Sequence, residues 1–152
     1  MELLFYHLEQ ATLERVLPDL LSKSLERGWR AIVETNEGEQ MEALDTMLWT
    51  YSPDSFLAHS TTNETLSEGA LQKQPVLITD KTENINNANI RFFIDSGDVT
   101  AHQDYERLVY IFNGNNEVDL KRAREQWKAA KAAKIEATYW QQNATGRWEK
   151  KA

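Results

Sequence analysis

The chain of 152 residues has no cysteine, which excludes a disulfide framework, a thiolate nucleophile and a thiolate metal site, and suits a reducing cytosol. Histidine is nearly as scarce. His7, His59 and His102 lie in separate segments with no His-x-x-x-His spacing, so an imidazole centre would need distant residues to converge. No apolar run approaches the length of a membrane span, and Met1–His7 lacks the basic region of a signal peptide. There is no internal repeat and no low-complexity segment. The length suits one domain over residues 1–152, expected to be soluble, cytoplasmic and monomeric when unpartnered. Positive charge is missing from most of the chain. Residues 1–117 hold eight Lys/Arg against twenty Asp/Glu, whereas residues 118–152 hold nine against four, within a net charge of −7. This polarity implies an acidic partner for the last third and repulsion of nucleic acid by the rest.

What is present alternates. Leu3 to Leu8 is a short aliphatic and aromatic run that predicts a buried strand. From Thr12 to Glu26, Leu13, Val16, Leu17, Leu20, Leu21 and Leu25 repeat at helical spacing. Gly28 supplies the stop, and Pro18 predicts a kink or a late start. Arg30 to Thr35 predicts a second strand and Glu39 to Trp49 a second helix. Ser60 to Gln74 is polar and reads as a long mobile surface loop. Strands follow at Val76–Thr79, Ile90–Ile94 and Leu108–Phe112, then a turn at Asn113-Gly114-Asn115-Asn116 and a helix over about 118–134. The last few residues are expected to fray. Alternating strands and helices predict an α/β three-layer sandwich, its sheet mostly parallel with helices on both faces.

Such a sheet raises the question of a nucleotide site. The first strand-to-helix turn, His7-Leu8-Glu9-Gln10-Ala11-Thr12, has no glycine to let the backbone approach a pyrophosphate, and Glu9 would repel one. No Gly-Lys-Ser/Thr loop occurs. Nor does sequence single out a general acid and base among 24 Asp/Glu. On the last helix, Lys121, Arg124, Lys128 and Lys131 fall in one stripe roughly 80° wide beside Leu120, Ala123, Trp127 and Ala130. This pattern fits a solvated face whose lysine stems cover the core edge. It equally fits a shallow pocket that holds a carboxylate on Arg124 and an aromatic side chain on Trp127. Single-stranded DNA is a further ligand for basic groups beside aromatics, opposed by the acidic field of the first 117 residues.

Several segments, in order and spacing, carry a resemblance. They are Phe5-Tyr6-His7-Leu8, Arg27-Gly28-Trp29-Arg30, Leu44-Asp45, Leu48-Trp49-Thr50-Tyr51, Ser55-Phe56-Leu57-Ala58-His59 and Pro75-Val76-Leu77-Ile78-Thr79. Further on come Ile111-Phe112-Asn113-Gly114, Ala123-Arg124-Glu125-Gln126-Trp127-Lys128, and the end Tyr139-Trp140-Gln141-Gln142 with Gly146-Arg147-Trp148-Glu149-Lys150-Lys151-Ala152. Together they make the chain similar, end to end, to the chi subunit of the bacterial DNA polymerase III holoenzyme. The resemblance implies a Rossmann-like fold without nucleotide chemistry, cofactor or catalysis. It implies an adaptor that binds the acidic C-terminal tail of single-stranded-DNA-binding protein and joins it, through psi where present, to the clamp loader, so that DNA is reached only indirectly. Carried onto this chain, the tail-binding residues are Arg124, Trp127 and Lys128, with Lys121 and Lys131 as supporting charges. Leu120 stands where the family has a lysine. The psi-facing residues are Trp49 and Phe56. A small-molecule or nucleotide-binding enzyme of Rossmann type and a direct single-stranded-DNA binder are the alternatives.

Overall fold

The computed structural model describes residues 1–35, 38–50, 59–62, 68–95, 97–102 and 104–152. Strands β1 (Glu2–Leu8), β2 (Ala31–Glu34), β3 (Ser60–Thr61), β4 (Val76–Thr79), β5 (Ile90–Ile94), β6 (Arg107–Asn113), β7 (Ala137–Gln142) and β8 (Trp148–Lys150) form one sheet. Its order is β3-β4-β2-β5-β6-β1-β7-β8. Every neighbouring pair is parallel except β7 with β8, which closes the edge as an antiparallel hairpin. Parallel strands need helical crossovers that cover both sheet faces, so the inner strands are apolar on both sides. In β5, all five of Ile90-Arg91-Phe92-Phe93-Ile94 are buried.

Helices α1 (Leu13–Glu26) and α2 (Gly38–Thr50) cover one face through Leu17, Leu21, Met41, Leu44 and Leu48, which meet Val33, Ile78, Phe92 and Ile111. Helix α4 (Glu117–Ala132) covers the other. Its buried Ala123 and Ala130 let the backbone lie close to Phe5, Tyr110 and Phe112. Helix α1 runs through Pro18 and ends as its glycine predicts. Gly28, at φ +80°, donates to the Leu25 carbonyl at 2.9 Å, and the Trp29 N–H returns to Ser24 at 3.1 Å.

The sequence reading needs two corrections. Residues 60–74 are not one surface loop. Ser60 and Thr61 pair in parallel with Leu77 and Ile78, and Glu68–Gln72 forms the short helix α3. Two paired residues are too few to show a period, which is why the strand went unread. Nor do the last residues fray. Trp140 to Gln142 pair with Trp148 to Lys150, and the Lys151 N–H donates to the Tyr139 carbonyl at 2.7 Å.

Candidate functional site

The Asn116 side chain starts α4 by accepting the N–H groups of Val118 and Asp119 at 3.0 and 3.1 Å. Acidic Glu117 and Asp119 in the first turn and Lys131 in the last complement the helix dipole. The helix presents Leu120 and Trp127 at the edge of the core. Trp127, half-buried, stands edge-on to Phe5 of β1 at 5.4 Å and to Tyr139 of β7 at 5.9 Å. The Lys131 ammonium lies 4.6 Å from the centre of the indole. Arg124 and Lys128 are exposed one turn before Trp127 and immediately after it, and Lys121 is exposed a turn earlier. Among the described residues, none of these three has an ion-pair partner. Free cations beside an anchored aromatic can take an anion and an aromatic group together.

Two contributors were absent from the sequence reading. Tyr139 forms the wall opposite Trp127, and His7 fixes it, with Nδ1 2.5 Å from the Tyr139 hydroxyl. The His7 Nε2 lies 2.9 Å from a Glu9 carboxylate that also accepts from Gln141 at 2.9 Å. Burial pushes the Tyr139 hydroxyl pKa up, against a smaller lowering by the Arg124 charge. His7 stands near the end of the strand expected from Leu3 to Leu8, yet its Tyr139 partner lies 132 residues away in sequence. The period-two run Ala137, Tyr139, Gln141 was the available signal for a wall residue.

A second cluster is structural. The Arg91 guanidinium, with no exposed surface, reaches Glu34 at 2.5 and 3.1 Å, the Tyr105 hydroxyl at 3.1 Å and the Lys81 carbonyl at 2.7 Å. All three nitrogens are hydrogen-bonded, so the group ties Tyr105 and the Lys81 carbonyl to Glu34 of β2. At the carboxyl ends of β1, β5 and β6, where open α/β sheets bind nucleotides, lies a crevice of about 350 Å³. Glu9, Glu14 and Asp95 line it. Burial, then the neighbouring Asp119, pushes the Asp95 carboxyl up to about 6. An acidic, glycine-free crevice is a poor phosphate cradle.

Trp49 lies in the last turn of α2, and Phe56 lies outside the described residues. Among the described residues no helix is long and apolar enough to cross a membrane.

Residues 1–138 match the protein family described as DNA polymerase III chi subunit, HolC. A curated relative, the probable DNA polymerase III subunit chi of Rickettsia prowazekii (strain Madrid E), is 26% identical over 107 residues. The match covers 70% of this chain and 62% of the relative, so the chain spans about three fifths of that protein's length.

Proposed function

Because the chain belongs to the DNA polymerase III chi subunit family, we propose that it is a non-catalytic replication adaptor that tethers the polymerase assembly to an acidic partner tail. The tail is that of single-stranded-DNA-binding protein. Its terminal carboxylate meets Arg124 and Lys128, its aromatic side chain lies against Trp127 and Tyr139, and Lys121 and Lys131 add attraction. The observation that carries this reading is the row of unpaired cations beside a tryptophan held by Phe5, Tyr139 and Lys131. A charge-assisted bond to a terminal carboxylate contributes about 1.5–3 kcal/mol.

The test is fluorescence anisotropy with a labelled peptide ending in an acidic-aromatic sequence such as Asp-Ile-Pro-Phe. Arg124→Ala is expected to weaken binding roughly tenfold or more, and moderate salt to weaken the wild type. Unchanged binding in Arg124→Ala would sink the tail reading. In the same proposal a psi-type partner of the clamp loader docks on the segment carrying Trp49 and Phe56, in the cytoplasm. Co-purification with that partner, lost in Phe56→Ala and retained in Arg124→Ala, is the expected result. The unpartnered chain is expected to sediment as a monomer at two concentrations.

A further inference from the structure

Opposite the α4 site, the sheet reaches past its helices. Tyr6 pairs with Trp140, Trp140 with Lys150, and Gln142 with Trp148, so alternation puts these side chains on the α1 face. Helix α1 flanks them and leaves a cavity of about 700 Å³. Within it, Tyr6 and Trp148 meet edge to face at 4.9 Å, and the Trp140 indole N–H donates to Thr138 Oγ1 at 2.8 Å. All three rings are half-buried. The facing wall carries Arg15, Asp19 and Lys23 at successive turns of α1. Asp19 is held by Lys23 at 3.1 Å, while Arg15 has no polar partner among the described residues. A smaller adjoining cavity of about 160 Å³ shares Tyr6, Leu20 and Lys23 and leads to Arg27 and Arg107. Their guanidinium carbons lie 5.2 and 5.4 Å from the centre of the Trp29 ring. Arg107 also pairs with Glu2 at 3.0 Å, and its Nε is buried without a partner.

We propose that this groove binds single-stranded nucleic acid, with bases against Tyr6, Trp140 and Trp148 and phosphates along Arg15, Lys23, Arg27 and Arg107. Flat aromatic rings accept any base by stacking, and a line of cations tracks a repeating backbone charge. From Arg15 to Arg27 the row extends about 18 Å along the helix, far more than one terminal carboxylate needs. An acidic peptide is better served by a compact pair of cations beside a single apolar socket. The overall charge of −7 does not forbid the site. Salt screens exposed charges beyond about 8–10 Å, and the carboxylates paired with the row, Asp19 and Glu2, leave Arg15 and Arg27 unmatched. The site is separate from the proposed tail site, on the other face of the sheet, and stands without it.

The experiment titrates a fluorescein-labelled oligothymidylate of about twelve nucleotides with the whole chain at low salt, read by anisotropy and tryptophan quenching. Saturable binding is expected, weakening as salt rises. The surface double variant Arg15→Ala/Lys23→Ala is expected to bind at least fivefold more weakly, with a log-log salt slope shallower by about 1.4. Trp148→Ala is expected to lose at least fivefold, and Arg124→Ala nothing. Absence of binding at low salt, indifference to the double variant, or loss in Arg124→Ala would each overturn the proposal. So would quenching by an acidic-aromatic peptide, sensitive to Arg15 and Lys23, from a chain that ignores the oligonucleotide. A failed tail-peptide titration beside a successful oligonucleotide one would separate the two readings.

Discussion

Arg91 is a cation without exposed surface, and only its partners make that tolerable. Removing it leaves the largely enclosed Glu34 carboxylate with only His102, 3.8 Å away, as an ion-pair partner among the described residues. Arg91→Met is therefore expected to cost about 3–5 kcal/mol in urea unfolding, and adding Glu34→Gln to restore part of it. Asp95 carries the opposite problem, a half-buried charge near another carboxylate, in a left-handed backbone at φ +59° that asparagine also accepts. Its pKa rises from 3.8 to about 6 on folding. Below about pH 4 both states hold the proton. Between there and pH 6 only the folded state does, so stability falls as pH rises and stays lower above pH 6. Asp95→Asn keeps an oxygen for the Asn113 N–H and removes the charge. Thermal melts are expected to show a gain of about 1–2 kcal/mol at pH 7.5, after allowing for screening, that vanishes near pH 4. His102 moves the other way. Burial, then Arg91, holds its pKa below 6.5, so the folded chain resists protonation. Its share of stability is present above about pH 6.5 and lost as pH falls below it.

The longer elements were legible because each buries a face long enough to show a period. The six apolar positions of α1 and the run Leu3 to Leu8 are the clearest cases. Strands β3 and β8 were not legible, since two or three residues show no period, and β7 was hidden by its polar Gln141-Gln142 end. The basic stripe and Trp127 could be read from the helix alone. The wall that Tyr139 adds could not, because it exists only when β7 lies beside β1. Gly114 belongs to the same arrangement, since its turn passes so close to His7 that a Cβ would collide with the imidazole. Gly114→Ala is thus expected to destabilise by about 1–3 kcal/mol in denaturant. It is also expected to weaken tail-peptide binding by freeing Tyr139 from His7. A peptide affinity unchanged in a destabilised Gly114→Ala would show that His7 supports the fold but not the site.

Across the whole molecule, charge is segregated along the chain, and the fold keeps that segregation in space. The α4 cations face outward from one layer, and the carboxylates Glu9, Glu14 and Asp95 gather at the carboxyl ends of the strands. An acidic partner, as proposed, would thereby be steered to one face and turned away from another. A tail peptide at one hundred times its Kd is expected to stabilise the whole domain by about 2.7 kcal/mol, an effect that Arg124→Ala should cut to about 1.4 kcal/mol or less. The sheet order also imposes a schedule on synthesis. Of the strands in this sheet β1 is made before the others, yet its two neighbours are β6 and β7, beginning at Arg107 and Ala137. At about 5–20 residues per second, Leu3-Leu4-Phe5-Tyr6 waits several seconds or more without a strand to pair with. For that interval the nascent chain displays an unclaimed apolar segment, and its safe passage depends on whatever shields that segment in the cell.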